Sequence, residues 1–262
     1  MSLRRHFLKC LLASLPLCAS AAQAAGEGYR FSPVNQYGIN VTAAYWNPII
    51  AYVSEKSGVP LQLKIGRTSA DTTSYVLAQE VEFIFSNHMF SPEREQLGWK
   101  VFGRRFTPPV RGQIIVPTDS TVTEQFPYAQ LLNSKVTVKP VFAGNMDAAL
   151  VQLFNKKVAA AGVNSQLAEG YGRREGKSYR TLWSSGPLHD LALMAASKVP
   201  EKDVKAVAKA FIGMHTDPRG RDILEKASQQ VGLTAEAYFI PSDGSEYTAY
   251  RDFYRTAPPA LR

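Results

Sequence analysis

Apolar residues recur along the chain at two spacings, which together predict strands that alternate with helices. Three short apolar runs, Tyr29–Val34, Leu61–Ile65 and Val81–Phe85, have the length and composition of buried strands. Between the first two runs, large apolar side chains recur at helical spacing, at Tyr45, Trp46, Ile49, Ile50 and Val53. This order of strand, helix and strand is typical of an α/β fold, with a mainly parallel sheet flanked by helices.

Capping and breaking residues set the predicted ends of the helices. Asn47 and Pro48 fit the N-cap and first turn of the first helix, and Gly58 ends it. Thr68 or Ser69 can cap the second helix. Further strands are predicted at residues 101–106, 113–116, 135–138, 158–163 and 191–195. Further helices are predicted after Asn145 or Asp147, from Pro200, and from Asp217-Pro218 to Gly232.

Polar residues follow three of the predicted strands, at positions 35–37, 67–69 and 86–88. Ligands of such sheets bind outside the carboxyl ends of the strands, so we expect these residues along one rim. Helices begin directly after two of these strand ends. Their free backbone N–H groups and positive dipole ends make seats for anions without any charged side chain.

The first 24 residues predict an export signal. Arg4, Arg5 and Lys9 form a positive start, an apolar stretch at 10–19 is too short to span a bilayer, and Ala22-Gln23-Ala24 fits a cleavage site. Residues 4–9 also match the twin-arginine pattern R-R-x-F-L-K, which is typical of chains exported in the folded state. An ordinary secretory signal is the alternative. Both predict a periplasmic protein, cleaved near Ala24.

The cysteine content and the net charge limit the kinds of site that the exported chain can have. The two cysteines, Cys10 and Cys18, lie inside the predicted signal, so we expect no disulfide and no cysteine chemistry in the exported chain. The whole chain has a net charge of +8, and removal of the signal takes away three positive charges and leaves about +5. This balance attracts anions but is too small to indicate nucleic-acid binding.

The sequence carries none of the motifs that would indicate an enzyme. It has no H-E-x-x-H, no G-x-S-x-G, no P-loop and no G-x-G-x-x-G after a strand, and its four histidines are scattered. We therefore expect no catalytic residue, no metal site and no cofactor, with a hidden Ser-His-Asp triad as the open alternative. The basic run at 173–177 fits a solvated turn, or else a docking surface.

Several segments resemble one known group of proteins. Residues 45–59 read YWNPIIAYVSEKSGV, which is similar to the signature W-x-P-x-x-x-Y-x-S-x-x-x-G. Residues 144–149 resemble a G-[SN]-H-D-A segment, residues 158–163 a D-A-G-x-V strand, and residues 182–187 a W-x-S-x-P motif. In this order they resemble the phosphate/phosphite/phosphonate-type periplasmic substrate-binding proteins of ABC transporters.

The resemblance implies the two-lobed, type II periplasmic binding protein fold, with the ligand in the cleft between the lobes. We expect the chain to cross between the lobes near Pro117 and near Gly186. Lobe one would then be residues 26–116 plus 187–262, and lobe two residues 117–186. Each lobe would hold a mainly parallel sheet.

The sequence departs from the family pattern at places that bear on the ligand. The strand predicted at 135–138 runs almost directly into residues 141–144, so a turn and a helix that would grip the oxyanion are missing, and lobe two is short. Glu82 stands where the family has Asp, and Met146 where it has His. Another oxyanion or a neutral polar ligand is therefore an alternative to a phosphonate.

Eight residues are predicted to line the ligand site. Their hydroxyl, amide, imidazole, phenol or carboxylate groups can bond an oxyanion, and each follows a strand or opens a helix. They are Tyr37, Thr68, Ser69, Asn87, His88, Asn145, Asp147 and Asn164. Helix capping is the alternative for most of them, and a protonated histidine would be the donor at His88. Arg104, Arg105 and Arg111 could add charge, with at most one of the adjacent pair Arg104 and Arg105 pointing at the cleft. Trp46 and Trp183 fit a core better than a ligand platform.

The function implied is capture of a small oxyanion by a monomeric protein. Closure about a hinge would bury the ligand, and an ABC permease at the inner membrane would bind the closed form. A sensor kinase is the alternative partner, and a periplasmic hydrolase on a similar scaffold is the alternative class.

Overall fold

The computed structural model describes residues 28–122, 139–233 and 237–257, which form two β-sheets with helices packed around them. The predicted signal and the predicted strand Lys135–Val138 lie outside the described residues. The strands are β1 Tyr29–Pro33, β2 Leu61–Leu63, β3 Phe83–Ser86, β4 Lys100–Phe106, β5 Gly112–Pro117, β6 Ala161–Asn164, β7 Tyr179–Ser184, β8 Ala192–Ala195 and β9 Tyr238–Ile240.

Eight α-helices are described. They are α1 Ile39–Ser57, α2 Asp71–Leu77, α3 Pro92–Glu95, α4 Met146–Phe154, α5 Ser165–Glu175, α6 Glu201–Gly213, α7 Pro218–Gln230 and α8 Thr248–Thr256. Short 3-10 turns lie at His88–Phe90, Met214–Thr216 and Ser245–Tyr247. No helix in the described ranges has the length and apolar character needed to cross a membrane.

The larger sheet has the strand order β2-β1-β3-β8-β4-β9. Strand β1 pairs in parallel with β2 and β3, as the alternation of strands and helices predicted. Strand β8 pairs antiparallel with β3 and β4, and β9 antiparallel with β4, because these strands return from the other lobe or from the final helices. The two-lobed α/β fold is confirmed, but the larger sheet is mixed, so the prediction of a mainly parallel sheet is wrong for this lobe.

The smaller sheet has the order β6-β5-β7, and both of its described pairings are antiparallel. The prediction of a mainly parallel sheet is wrong here, because the chain enters this lobe along β5 and leaves it along β7. The whole of β5 pairs within the smaller sheet, so the first crossing precedes Gly112 rather than following at Pro117. The two crossing segments lie side by side, since Val110 and Leu188 exchange backbone hydrogen bonds of 3.0 and 2.7 Å.

Helix α1 begins well before its predicted start. It opens at Ile39, with the N–H of Thr42 donating to Gly38 O at 2.9 Å, and Pro48 lies inside it. Proline removes one backbone hydrogen bond from a helix, but burial of the apolar face around Trp46 and Ile49 offsets that loss. Gly58 ends the helix in the left-handed conformation (φ 68°), as predicted.

The larger lobe is built on the larger sheet and the smaller lobe on the smaller sheet, and each has a core of its own. One helix contributes to both cores. The larger core lies between the larger sheet and helices α1, α6 and α7, and the smaller one lies under β5, β6, α4 and α5. Ala168 and Tyr171 of α5 face the smaller core, whereas Leu167, only 2% exposed, packs into the larger core. Helix α5 therefore joins the two lobes.

Candidate functional site

Two helix N-termini from different lobes meet at the rim of the larger sheet. The N–H of Ser69, just before α2, donates to Gly144 O at 2.8 Å. The N–H of Asp147, in the first turn of α4, donates to Gln36 O at 3.4 Å. Direct hydrogen bonds thus cross the cleft between the lobes, and they bring the predicted positions at 36–37, 68–69 and 145–147 together.

The N-terminus of α2 has no side-chain cap, so the prediction that Thr68 or Ser69 caps this helix is wrong. Ala70 holds the N-cap position, and the carboxylate of Asp71 reaches back to the preceding loop. It accepts hydrogen bonds from Arg67 N at 2.6 Å, Thr68 N at 3.0 Å and Thr68 Oγ1 at 2.9 Å. Partial burial raises the pKa of Asp71, but the hydrogen bonds from Thr68 and Arg67 outweigh it and lower that pKa overall. The carboxylate is therefore ionised at neutral pH.

Asn35 fixes the loop that carries Thr68 and Ser69. Its side-chain nitrogen donates to Gly66 O at 2.9 Å, and its side-chain oxygen accepts from Thr42 Oγ1 at 2.8 Å. A Cβ at position 66 would overlap the side chain of Asp71, so only glycine lets this turn close. The buried amide of Asn35 joins the end of β1, the start of α1 and the loop before α2.

The opposite wall of the cleft is formed by the start of α4. Asn145 caps this helix, with its side-chain oxygen accepting from Ala148 N at 2.8 Å. Both carboxylate oxygens of Asp147 lie 3.0 Å from Nη2 of Arg174, a residue of the last turn of α5. Burial raises the pKa of Asp147, although the Arg174 charge acts in the opposite direction.

Arg174 is a residue of the cleft that sequence reasoning missed. Its run of basic residues predicted a solvated turn or a docking surface. In the structure its Nη1 donates to Val231 O at 2.9 Å, and its guanidinium lies 5.8 Å from the ring centre of Tyr37. No local pattern could reveal these contacts, because Asp147 and Val231 are far from Arg174 along the chain.

Tyr37 lies in the loop after β1, as predicted, but it is buried rather than exposed. It is 2% exposed and belongs to the larger core, and burial raises its pKa far above the usual value. Since the larger-lobe loop at 35–38 is covered by the start of α4, the phenol ring forms a wall under the cleft rather than an exposed platform.

Asn164 caps α5, and it also contacts α4. Its side-chain oxygen accepts from Gln166 N at 2.9 Å, and its own N–H lies 3.3 Å from Sδ of Met146. Met146, which stands where the resembled family has histidine, therefore packs against the end of β6.

Asn87 and His88 follow β3 as predicted, but the hydrogen bonds of their side chains are with other residues of the larger lobe. Nδ1 of His88 pairs with Thr73 Oγ1 at 3.1 Å, and Asn87 bonds the hydroxyl of Tyr250. Burial, followed by the nearby Arg94 charge, lowers the pKa of His88 to about 4. The imidazole is therefore neutral near pH 7, which corrects the expectation of a protonated donor.

Comparisons with known proteins agree with this fold. A family model described as "ABC transporter, phosphonate, periplasmic substrate-binding protein" matches residues 121–247, slightly less than half of the chain. No curated protein sequence gives a significant match. Among solved structures, PhnD1 from Prochlorococcus marinus in complex with methylphosphonate has a TM-score of 0.70 at 12% identity, over 87% of this chain and 97% of that one.

Two further structures extend the likeness. A binding protein component of an ABC phosphonate transporter from Pseudomonas aeruginosa has a TM-score of 0.69 at 13% identity, over 87% of this chain and 86% of that one. A Xanthomonas citri protein bound to ATP has a TM-score of 0.60 at 10% identity, over 87% and 95% of the two chains.

The chain has the fold of the two-lobed periplasmic binding proteins. The resemblance to the phosphonate-type substrate-binding proteins, seen first in its sequence motifs, is confirmed by the family match and by these structures. At these identities, the likeness to solved structures establishes the fold of this chain but not the residues that form its ligand site.

The three arginines considered as charge donors all have partners elsewhere. Arg105 is buried against Asp190 at 2.7 Å, and Arg104 pairs with Glu246 at 2.9 Å, so the two point away from one another as expected for neighbours on a strand. Arg111 donates to Ser185 O at 2.7 Å between the crossing segments. As predicted, Trp46 is a core residue, but the same prediction for Trp183 is wrong, since it is 37% exposed on the smaller lobe.

Two cavities in the described part of the chain lie away from the meeting point of α2 and α4. The larger, of about 420 Å³, is lined by Met89, Phe90, Glu95, Trp99, Lys100, Val101, Met194, Asp243 and Arg251. The smaller, of about 80 Å³, lies beside the crossing segments and is lined by residues that include Pro108, Gln166 and Arg173. At the predicted site, backbone groups of the two lobes are in direct contact, as the hydrogen bonds from Ser69 N and Asp147 N show.

Proposed function

We propose that the chain is a periplasmic solute-binding protein that captures a small oxyanion of the phosphate, phosphite or phosphonate class. The observation that carries this proposal is the meeting of the α2 and α4 N-termini across the cleft, where Ser69 N and Gly144 O are 2.8 Å apart. Helix N-termini are natural seats for anions, and two of them from different lobes converge on the same place.

Capture would exchange bonds across the cleft for bonds to the ligand. Opening of the lobes breaks the hydrogen bonds from Ser69 N and Asp147 N, and leaves two N–H donors facing the cleft. An oxyanion would accept from both donors, with the hydroxyl of Thr68 on one side and Asp147 on the other. Closure then holds the ligand through contacts with both lobes, and requires no chemical step.

The remaining predicted residues would support this site in different ways. Asn145 and Asn164 hold the starts of α4 and α5 as caps, and Tyr37 forms the wall beneath them. Asn87 and His88, which bond Tyr250 and Thr73, would act at the far end of the rim if the ligand extends that way.

The class of ligand is supported by the family match and by the solved relatives. One relative is described as part of an ABC phosphonate transporter, and another holds methylphosphonate. We therefore propose methylphosphonate as the first ligand to test, and an ABC permease as the partner. The protein would be exported with the signal cleaved near Ala24, and would act as a monomer.

A thermal-shift titration of the purified protein tests the proposal. Phosphate, phosphite, methylphosphonate and sulfate are compared at equal concentration. A ligand at about 100 times its dissociation constant stabilises the folded state by about 2.7 kcal/mol, which is easily measured as a rise in Tm. A rise with a phosphorus oxyanion, confirmed by calorimetric titration, supports capture. A cooperatively folded protein that responds to none of them would overturn the proposal.

A sensor kinase remains the second candidate for a partner, and the few residues in the sequence between the strand predicted at 135–138 and the segment 141–144 favour it. A smaller second lobe offers less surface for a permease that must dock on both lobes. Co-purification from membranes that contain either the permease or the kinase would separate the two, because only the true partner is retained with the loaded form.

A further inference from the structure

The guanidinium of Arg174 connects groups from both lobes at the edge of the cleft. It bonds both oxygens of Asp147 in the smaller lobe and Val231 O in the larger lobe, and it lies over the ring of Tyr37. Its side chain is 16% exposed, and that of Asp147 is 15% exposed. A charge held at such a boundary is only partly screened by water, so its interactions are stronger than those of a surface pair.

The other arginines near the lobe boundary are committed to other groups. Arg104, Arg105 and Arg111 bond Glu246, Asp190 and Ser185 O, and Arg173 donates to Gly232 O at 2.6 Å. Arg174 is the arginine of these five that contacts two of the residues predicted for the site, Tyr37 and Asp147. Of these five arginines, it is therefore the one placed to meet an anion in the cleft.

We infer that Arg174 and Asp147 act as a pair that determines which protonation state of the oxyanion is bound. This inference rests on the proposed function and deepens it. The planar guanidinium has five N–H donors and can bond unprotonated oxygens of the ligand in a forked arrangement. The ionised carboxylate only accepts, so it can bond a ligand O–H but repels a ligand oxygen that carries a full charge.

The pair therefore selects a singly protonated oxyanion, such as hydrogen methylphosphonate, over the doubly charged form. The donors are Ser69 N, Asp147 N and Arg174, and the acceptor is the Asp147 carboxylate. Other charged or titratable groups that face Asp147 are Glu175 and Tyr171 from α5 and Tyr37 from the loop before α1. Glu175 adds negative charge and so opposes a doubly charged ligand as well.

Affinity for methylphosphonate, measured by calorimetric titration across the second ionisation of the ligand, tests this inference. With the parent protein we expect the affinity to fall tenfold for each pH unit above the pKa of that ionisation, because the singly protonated ligand that binds becomes scarcer. Asp147→Asn should flatten this dependence, since an amide can donate to the charged oxygen. Arg174→Gln should weaken binding by about tenfold or more at every pH, as expected for loss of a charge-assisted bond.

Three further variants make the result decisive. Arg174→Lys keeps the charge without the fork, so it should recover only part of the affinity. The double variant, Arg174→Gln together with Asp147→Asn, leaves no unpaired charge. It should therefore fold, and its affinity for methylphosphonate should show a flat pH dependence. Lys177→Gln removes one positive charge from an exposed position just beyond α5, and should bind as the parent does. Thermal unfolding of each variant establishes that it is folded.

The outcomes separate this inference from the proposed function. If the parent protein binds no phosphorus oxyanion, the proposed function is overturned and this inference with it. If the parent binds one, but Asp147→Asn keeps the same pH dependence or Arg174→Gln binds within about twofold of the parent, only the role of the pair is overturned.

Discussion

Arg105 and Asp190 form a buried ion pair where the chain passes between the lobes. Arg105 Nε donates to Asp190 at 2.7 Å and Nη1 to the Tyr45 hydroxyl at 3.1 Å, and both charged side chains are almost fully buried. Asp190 also accepts from Thr107 Oγ1 at 3.2 Å. Both charges have several partners, so the pair holds the larger-lobe ends of the two crossing segments in register.

Asp190→Asn should destabilise the protein by about 3–5 kcal/mol, because it leaves the Arg105 charge buried without its counter-ion. Urea denaturation followed by circular dichroism measures the loss. Glu246→Gln is the matched control, since it removes the partner of Arg104 in a more exposed pair, and should cost about 1 kcal/mol or less. Equal losses of stability for the two variants would contradict the expectation that the buried pair contributes more than the more exposed one.

His88 should make the stability of the protein depend on pH. Its pKa is about 4 in the folded protein and 6.5 when unperturbed, so between these values the unfolded chain binds the proton and the folded chain does not. Stability contributed by the neutral imidazole is complete above about pH 6.5 and is lost as pH falls towards 4, by about 1–3 kcal/mol.

Thermal unfolding of the parent and of His88→Gln at intervals across this range measures the effect. The variant has no group that titrates at this position, so its Tm should fall less between neutral and acidic pH than that of the parent. Parallel curves for the two proteins would mean that the imidazole is protonated in the fold, and would contradict its assignment as neutral.

The residues whose roles are local were predictable from the sequence, and those whose roles depend on distant segments were not. Asn145, Asn164 and Asp217 cap helices because each bonds N–H groups two or three residues ahead. Arg174 meets Asp147 only because α5 packs against α4. Thr68 does not cap α2, because the loop before the helix turns back at Gly66 and the Thr68 hydroxyl bonds Asp71 instead.

At the scale of elements, α5 is the helix on which both lobes depend. Gly170, in its middle, lies against the end of α7, and a Cβ there would overlap Val231 O. Gly232 faces it with φ 74°, and its own Cβ would overlap Gly170 O. Glycine at both positions lets the two backbones touch, and Arg173 and Arg174 then bond the carbonyls of Gly232 and Val231.

Gly170→Ala should therefore destabilise the protein by about 1–3 kcal/mol, although alanine favours helices. Gly213→Ala is the matched control: it is also a helical glycine, at the end of α6, but no atom lies near its Cβ position, so it should be neutral or slightly stabilising. Chemical denaturation of both variants gives the comparison. A stable Gly170→Ala protein would mean that α5 and α7 can move apart at little cost.

For the whole molecule, the alternation of strands and helices was enough to predict two α/β lobes, but not how the strands pair. The apolar pattern of β5 in the sequence is like that of the other strands, and only its hydrogen bonds with β6 and β7 assign it to the smaller sheet. Those pairings join segments that are distant in sequence, so no local spacing encodes them. The same limit applies to the cleft: Thr68, Ser69 and Asp147 were predicted one by one, whereas Arg174 and the contacts across the cleft were not.

The burial of Leu167 in the larger core bears on how the lobes can open. Any rotation that separates α5 from the larger lobe exposes this side chain to water, whereas rotation about α5 leaves it buried and opens only the cleft between Ser69 and Gly144. We therefore expect α5 to stay in place as a pivot. Leu167→Ala should cost about 2–5 kcal/mol of stability and should loosen this pivot.

Spin labels test this directly, because the only cysteines of the chain, Cys10 and Cys18, precede the described residues and are expected to leave with the signal. Labels at Lys156→Cys and Lys205→Cys report the separation of the lobes, since both side chains are more than 70% exposed. Leu167→Ala should broaden the distance distribution, and methylphosphonate should narrow it again. Leu77→Ala, the same change at an exposed position, should leave it unaltered. If Leu167→Ala leaves it unaltered too, the lobes turn about the crossing segments alone, and α5 merely follows them.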